Sequence, residues 1–314
     1  MKNLLARLTG VIACLTLFAA SAVGDEAPSS ILITGATSGI GRNLAETLAG
    51  KGHHVYAGAR TDAEIAELNA IPNITAVRLD VTKQDQIDDA VQFIRDQGTG
   101  LYGLVNNAGI YDGGPVLDTD IDVQTLVYTV NVEGVLRTTR AFAPLVVASR
   151  GRIATTGSIA GTIAGPGFAA YSGSKHYIEA FTDSLAAEMQ PLGVSVSVIE
   201  PGNYQTQIRR SSMKRSMART VAAGGVITSD MEKQYKATEE RELSYKLPDE
   251  VTQAFEHALF SEQPLRRYVV VPNEQEHQLT IETKIRELVQ LNRWGPYSYS
   301  DEALLDALES ALRR

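Results

Sequence analysis

Cysteine is almost missing from this chain, whose 314 residues include only Cys14. A disulfide framework is therefore excluded, and cysteine usage gives no information about the compartment in which the chain works. Histidine is scarce as well, and no cysteine and histidine residues stand at the spacing of metal ligands. The adjacent His53 and His54 would point to opposite faces of a strand, so we interpret them as surface residues and expect no metal site.

An excess of basic residues is also missing. The chain has 29 Lys and Arg against 37 Asp and Glu, a formal net charge of −8. General affinity for nucleic acid needs a basic surface, so we expect no nucleic-acid partner. Internal repeats and low-complexity tracts are absent, and the 44% hydrophobic content is that of a globular protein with one large domain or two small ones.

Apart from one segment near the N-terminus, the chain lacks long apolar runs. Lys2 and Arg7 precede an apolar run at 8–20, and small residues follow it. This pattern predicts a secretory signal peptide or signal anchor over residues 1–24, and the run is short for a membrane span of about 20 residues. We therefore expect an exported or membrane-anchored protein, periplasmic in a bacterium. Lipidation at Cys14 and a later translation start, which would leave the chain cytoplasmic, are the alternatives.

From residue 30 onward, short apolar segments alternate with amphipathic ones. The apolar segments predict seven strands, at 31–33, 54–58, 74–79, 101–105, 151–156, 194–199 and 267–271. Apolar residues at helical spacing predict helices between them, the longest at 121–148 and 168–190. Continuous apolar strands separated by helices are typical of a parallel sheet buried on both faces. We predict an α/β fold, a doubly wound parallel seven-stranded sheet with helices on both faces.

A glycine-rich turn lies between the first strand and the first helix. Glycines at such a turn let backbone N–H groups approach a pyrophosphate, and the helix N-terminus adds partial positive charge. The spacing Gly-x-x-x-Gly-x-Gly departs from the common Gly-x-Gly-x-x-Gly motif. The turn predicts a dinucleotide site with the candidate contacts Gly35, Thr37, Ser38, Gly39, Ile40 and Gly41.

Tyr171 and Lys175 stand four residues apart, a spacing that places both side chains on one face of a helix. A tyrosine ionises near pKa ~10, and we expect the neighbouring ammonium to lower that pKa. Tyr171 can then pass a proton to or from a substrate oxygen while carbon gains or loses hydride. Ser158, thirteen residues upstream, supplies a hydroxyl for the same oxygen.

In their order, these features resemble the short-chain dehydrogenase/reductase family, in its branch of simple oxidoreductases rather than its epimerase/dehydratase branch. The resemblance covers roughly residues 30–272 and rests on seven ordered motifs, at 34–41, 80–81, 106–109, 131–132, 158, 171–175 and 201–202. It implies a Rossmann-type catalytic domain over 30–272, with a substrate lid at about 203–247. Beyond the resemblance, two amphipathic patterns near 274–291 and 301–313 predict a C-terminal helical extension over 273–314.

The resemblance also implies residue roles. Tyr171 would be the acid/base, Lys175 would bind the nicotinamide ribose and tune Tyr171, and Ser158 would hold the substrate oxygen. Asn131 would position a water that relays protons. The cofactor contacts would further include Asp80, Val81, Asn107 and Thr206, of which Asp80 and Asn107 line the adenosine side and Thr206 meets the nicotinamide carboxamide.

The choice of cofactor depends on the end of the second strand. A carboxylate there accepts from a ribose 2′-OH and repels a 2′-phosphate, but this chain has Ala59 and Arg60 instead. A guanidinium suits a phosphate, so we expect NADP(H) rather than NAD(H). In the alternative, Arg60 faces solvent or stacks on adenine.

The lid is the least specific part of the sequence. Its basic residues fit either an anionic substrate or a solvated helix face near cofactor phosphates. Outside most of the lid, short stretches at 101–107 and 200–204 are similar to retinol and steroid dehydrogenases, which indicates a lipophilic substrate.

We therefore predict an NADP(H)-dependent oxidoreductase that acts on a small alcohol or carbonyl compound. The alternatives are a non-catalytic NADP-binding sensor and, less favoured, a scaffold. A homodimer or homotetramer is expected, because the helices at 121–148 and 168–190 carry more apolar residues than one sheet contact needs, among them Phe142, Leu145, Phe181 and Leu185.

Overall fold

The computed structural model describes residues 29–313, so the predicted leader lies outside the described residues. A single sheet of seven parallel strands has the order β3-β2-β1-β4-β5-β6-β7. The strands are β1 (Ser30–Ile33), β2 (His54–Ala59), β3 (Ile74–Arg78), β4 (Gly103–Asn106), β5 (Arg152–Thr156), β6 (Ser195–Pro201) and β7 (Arg267–Val270). The predicted doubly wound α/β fold is confirmed, and all seven strands lie within two residues of their predicted bounds.

Eleven α-helices are present in the described part of the chain. They are α1 (Gly39–Gly50), α2 (Asp62–Asn69), α3 (Gln84–Asp96), α4 (Ile121–Tyr128), α5 (Gly134–Ala148), α6 (Ala169–Met189), α7 (Ile208–Ala222), α8 (Ser229–Ser244), α9 (Asp249–Phe260), α10 (Glu274–Leu291) and α11 (Asp301–Leu312). The sequence pattern did not indicate α2, because only Leu68 of its residues is buried. A capping box, in which Thr61 and Glu64 satisfy each other's backbone N–H groups, begins this helix instead.

Two apolar layers hold the helices against the sheet. On one face, α1 and α9 pack on the strands through residues such as Leu44 and Phe255, both fully buried. On the other face, α3, α5 and α6 pack through residues such as Ile87 and Phe142. Because both faces are covered, the central strands read as continuous apolar runs rather than as an alternating pattern. His53, interpreted as a surface residue, is buried and stacks on Phe260 with ring centroids 4.4 Å apart, so that interpretation was wrong.

A π turn at Thr129–Glu133 divides the single helix predicted over 121–148. The wider turn places Asn131 inside the protein, where the side chain is 2% exposed. The Asn131 amide binds the backbone of Ile110 through both its oxygen and its nitrogen, at 2.8 Å each. These two bonds fasten the helix to the loop after β4, and π turns of this kind are frequent at functional sites.

Two of the four apolar residues that suggested pairing of subunits belong to the core of one subunit. Phe142 is 0% and Leu185 7% exposed, and both lie in the apolar layer beneath the sheet. Leu145 and Phe181 are only partly buried where they pack against that same layer. Phe142 and Leu185 therefore do not support a second subunit, whereas Leu145 and Phe181 keep some exposed apolar surface. The oligomeric state itself stays a prediction.

The segment after β6 covers the carboxyl edge of the sheet. Helices α7 and α8 occupy most of the predicted lid and pack on each other. Helix α10 closes over the same edge, where Glu276 accepts a hydrogen bond from the Asn203 backbone at 2.9 Å. Among residues 29–313, no helix is both long and apolar enough to cross a membrane.

Candidate active site

A cavity of about 910 Å³ opens where the carboxyl ends of β1 and β4 diverge. The strand order reverses between these two strands, which is the place where open α/β sheets bind their ligands. Most of the predicted site residues line this cavity, namely Gly35, Thr37, Ser38, Gly39, Ile40, Arg60, Asp80, Val81, Asn107, Ser158, Tyr171, Lys175 and Thr206. Gly41 and Asn131 do not line the cavity and lie behind its wall.

The glycine turn has the backbone shape that a pyrophosphate site requires. Gly35 and Gly39 have φ angles of 64° and 55°, in the left-handed region where glycine is favoured. A Cβ atom at Gly41 would collide with the Asn107 side chain and the Gly35 carbonyl oxygen. Ser38 precedes α1 without a side-chain hydrogen bond to it, so the first N–H groups of the helix are left for another acceptor. The residues present therefore fit a dinucleotide.

Asn107 holds the glycine turn in place. Its side-chain nitrogen donates to the carbonyl oxygens of Thr34 and Gly35, both at 3.1 Å. Its side-chain oxygen accepts from the Thr156 hydroxyl at 3.1 Å. Because both ends of the amide are engaged, Asn107 contributes to the predicted adenosine side by fixing the turn that lies beside it.

The adenosine end of the cavity is formed by the ends of β2 and β3. Arg60 is exposed there, directly after β2, and no acidic residue precedes it at the strand end. The Asp80 carboxylate accepts from the backbone and hydroxyl groups of Thr82, at 2.9 and 2.7 Å, and so shapes the loop after β3. This end of the cavity therefore presents a guanidinium rather than a carboxylate to a ribose 2′ position.

The opposite end brings together Ser158, Tyr171 and Lys175. Ser158 follows β5, and its side chain lines the cavity near the Tyr171 phenol while its hydroxyl oxygen accepts from the Ala160 backbone at 3.1 Å. One helical turn further along α6, the buried Lys175 ammonium lies 5.7 Å from the Tyr171 ring centroid and donates to the Thr156 carbonyl oxygen at 2.8 Å. Asn131 stands behind them and donates to the Ser174 hydroxyl at 3.0 Å. The four residues implied by the resemblance are thus gathered at one place.

The pKa of Tyr171 differs from the sequence-based expectation. Burial raises the pKa of Tyr171 above its ordinary value, and the hydrogen bond with Ser158 and the charge of Arg209 only partly oppose this effect. Burial also lowers the pKa of Lys175 to about 8. The Lys175 ammonium donates its hydrogen bond to the Thr156 carbonyl oxygen and not to the Tyr171 phenol. The prediction that Lys175 lowers the pKa of Tyr171 was therefore wrong for this structure. A protonated phenol at neutral pH suits donation of a proton to a carbonyl oxygen.

Carbonyl reduction should accordingly lose rate as the pH rises through about 8, where Lys175 gives up its proton. Below that pH the ammonium makes a charge-assisted hydrogen bond to the Thr156 carbonyl oxygen and can hold a ribose hydroxyl of the cofactor, whereas the neutral amine binds both more weakly. The check is a profile of reductive kcat/KM from acid to alkaline pH. A profile that stays flat well above this pKa would contradict the role of the ammonium.

Several residues of the site were missed by sequence reasoning. Tyr111 lies edge-on to Tyr171, with ring centroids 5.5 Å apart, and Phe168 packs on Tyr111 at 5.1 Å. Helix α10 adds Leu279, Thr283 and Arg286 to the cavity wall. Tyr111 stands two residues after the motif at 106–109 and Phe168 three residues before Tyr171, a nearness to motifs that could have indicated both. The α10 residues lie far from any motif and carry no such signal.

A buried carboxylate, also missed, ties the lid to the site. Asp112 is 2% exposed and binds the guanidinium groups of Arg215 and Arg219 on α7, at 3.2 and 3.0 Å. It also accepts from the Ser212 hydroxyl at 3.1 Å. These arginines hold the pKa of Asp112 below its ordinary value despite burial. The basic lid residues are therefore not simply a solvated helix face.

Asp112→Asn should lower the free energy of unfolding by about 2–3 kcal/mol. This loss is small for a broken buried ion pair, because the two arginines keep some contact with water. The free energy of unfolding from urea titration measures the change. Asp230→Asn is the matched control, since Asp230 on α8 is 80% exposed and forms only a surface pair with Lys233. The control should cost less than about 0.5 kcal/mol. Equal losses in the two variants would show that the buried cluster does not hold the lid.

Comparison with known proteins agrees with this architecture. The sequence model described as short chain dehydrogenase matches residues 29–216. The mitochondrial D-beta-hydroxybutyrate dehydrogenase of Mus musculus is 40% identical over 195 residues, which are 59% of this chain but only 57% of the relative. Retinol dehydrogenase 5 of Mus musculus is 34% identical over 252 residues, 76% of this chain and 79% of the relative.

A solved structure matches the fold over most of its length. The short chain dehydrogenase/reductase of Burkholderia phymatum, crystallised in complex with NAD, superposes with a TM-score of 0.70. It covers 87% of this chain and 98% of its own, at 24% identity, a level that supports the fold alone. The family match spans more than half of the chain, and the retinol dehydrogenase match covers most of both chains. The protein therefore belongs to the short chain dehydrogenase family.

Proposed function

We propose that this protein is an NADP(H)-dependent oxidoreductase that interconverts a secondary alcohol and a ketone or aldehyde, with Tyr171 as the acid/base. One observation carries the proposal. The Tyr171 phenol and the Ser158 hydroxyl face the same cavity whose other wall is the glycine turn. An acid/base group and a dinucleotide cradle on opposite sides of one space are what a hydride transfer to a carbonyl requires.

The cofactor would be held by the N-terminus of α1, the glycine turn, Arg60, Lys175 and Thr206, and it would supply or accept the hydride. During reduction, Ser158 and Tyr171 donate hydrogen bonds to the carbonyl oxygen and stabilise the negative charge that develops there. As the carbon gains hydride, Tyr171 gives its proton to that oxygen, which becomes the hydroxyl group of the product. Oxidation runs through the same groups in reverse, with Tyr171 accepting the proton.

The preference for NADP(H) is supported by Arg60 at the end of β2 and by the absence of an acid at that strand end. NAD(H) is the alternative. The NAD in the Burkholderia structure belongs to that protein, and its low identity gives no information about the 2′ position here.

The substrate class is supported less directly. The two mouse relatives are named for a small hydroxy acid and for retinol, which differ greatly in polarity. The aromatic rings of Tyr111 and Phe168 give the tyrosine end an apolar wall. This wall favours a partly lipophilic alcohol or ketone.

The test is a spectrophotometric assay at 340 nm with purified protein, NADPH or NADH, and a panel of ketones and aldehydes. Oxidation of NADPH that depends on the carbonyl compound is expected. Tight binding of NADPH, measured by fluorescence, without turnover of any compound in either direction would instead favour a non-catalytic sensor.

The proposal extends to a two-fold homo-oligomer, which is supported by the family resemblance and by the partly exposed Leu145 on α5 and Phe181 on α6. Light scattering at micromolar concentration should give a mass of two or four chains. A monomer mass at that concentration would contradict it. Export through the leader is likewise a proposal, and N-terminal sequencing of the mature protein from fractionated cells would test it.

A further inference from the structure

Five basic residues lie on α7, and three of them pair with carboxylates of the described chain. Arg210 pairs with Glu239 at 2.8 Å, and Arg215 and Arg219 pair with Asp112. Lys214 and Arg209 contact aromatic rings instead, but Lys214 is exposed and lies over Tyr235, whereas Arg209 lines the cavity. Within residues 29–313, no carboxylate lies at ion-pair distance from its guanidinium, which has only a long hydrogen bond of 3.5 Å to the Asn203 side chain.

The Arg209 guanidinium is held at the tyrosine end of the cavity. Its central carbon lies 5.6 Å from the ring centroids of both Tyr111 and Phe168. Tyr111 in turn contacts the Tyr171 ring edge-on. Cation–π contacts with two rings restrict the guanidinium, while most of its five N–H groups stay free to donate.

The nearest acid does not neutralise Arg209. Glu242 is 2% exposed and accepts from the Arg209 backbone N–H at 2.8 Å, while its other oxygen lies 3.4 Å from the Arg210 guanidinium. Of the other cavity arginines near α7, Arg215 binds Asp112, and Arg286 pairs with Glu282 at 3.4 Å. The tyrosine end therefore carries the Arg209 guanidinium without a carboxylate at ion-pair distance among residues 29–313, in addition to the Lys175 ammonium, which donates to the Thr156 carbonyl oxygen.

We propose that Arg209 binds a carboxylate of the substrate, so that the protein acts on oxo acids and hydroxy acids rather than on neutral ketones and alcohols. This inference rests on the proposed function and names its substrate class. A guanidinium without a counter-ion in a partly buried site is costly, and a bound carboxylate offsets that cost with two parallel hydrogen bonds. The cofactor phosphates are less suitable partners, because the Arg209 guanidinium lies against the Tyr111 and Phe168 rings, and Tyr111 contacts Tyr171.

The experiment compares acids with their uncharged esters. Acetoacetate, levulinate and the methyl ester of each are assayed for reductive kcat/KM with the wild type, Arg209→Gln and Lys214→Gln. Lys214→Gln is the matched control, because it removes the same charge from an exposed position of the same helix. Acetoacetate and levulinate are also titrated calorimetrically into each protein in the presence of NADP⁺, which gives binding without turnover.

We expect the wild type to prefer at least one acid over its ester. Arg209→Gln should lower kcat/KM for that acid by about tenfold or more, because the variant loses one charge-assisted contact with the carboxylate. Its activity on the ester, and both activities of Lys214→Gln, should change less than about threefold. Equal losses on acid and ester, or a wild type that prefers the esters, would overturn the inference and leave the proposed function standing.

Failure of the proposed function has a different signature. In that case the wild type reduces none of the compounds but still binds an acid. If Arg209→Gln then weakens that binding and Lys214→Gln does not, the anion site is supported and the oxidoreductase function is rejected. If the wild type shows no turnover and no binding that depends on Arg209, both the anion site and the oxidoreductase function are rejected.

Discussion

Tyr171→Phe will lower kcat by about 10²- to 10⁴-fold, the range that a positioned general acid contributes. The phenylalanine ring keeps the packing against Tyr111, so the change removes a hydroxyl group and little else. The affinity for NADPH should stay within a few-fold, because the phenol acts when the proton moves to the substrate oxygen. An interaction made only in the transition state affects kcat more than binding.

Steady-state kinetics with NADPH, combined with fluorescence titration of NADPH, measures both quantities. Tyr111→Phe is the matched control, since it removes a hydroxyl from the neighbouring ring in the same cavity. The control should change kcat by less than about tenfold, because Tyr111 is assigned no proton transfer. Near-normal turnover in Tyr171→Phe would reject the proposed mechanism.

Arg60→Ala combined with Ala59→Asp will shift the cofactor preference from NADPH toward NADH by roughly 100-fold or more in the ratio of kcat/KM values. Loss of a charge-assisted contact to a 2′-phosphate costs about 1.5–3 kcal/mol, and each 1.4 kcal/mol is about tenfold. The new carboxylate adds repulsion of the 2′-phosphate and an acceptor for a 2′-OH. Arg60 is exposed, whereas Ala59 is 1% exposed and lies in the apolar layer beside the cavity. Arg60→Ala is therefore also measured alone, which separates the loss of the guanidinium from the cost of placing a carboxylate at Ala59.

The measurement is kcat/KM for each cofactor in the wild type, the double variant and Arg95→Ala. Arg95 is an exposed arginine on α3 outside the cavity, so its removal controls for the loss of one positive charge. A wild type that already prefers NADH would show that Arg60 does not recognise a 2′-phosphate. Arg60 would then face solvent or stack on adenine.

The sequence alone determined the strand order along the chain, the glycine turn and the Tyr171–Lys175 pair. These features are local in origin. A strand buried on both faces must be apolar throughout, a turn with φ near +60° strongly favours glycine, and a four-residue spacing on a helix places two side chains on one face. For that reason β1 to β7 and the cavity-lining positions from Gly35 to Ile40 were predicted closely.

The tertiary structure alone decided which charges are paired and which side chains are buried. The lid arginines look alike in sequence, but only the fold brings Asp112 to Arg215 and places Arg209 against the adjacent rings of Tyr111 and Phe168. Phe142 looked available for a second subunit because the sequence does not say how much of α5 the chain's own sheet covers. The pKa of Tyr171 follows the same rule. Spacing predicted its neighbour Lys175 but not the burial that raises this pKa, because desolvation depends on every element packed around the phenol.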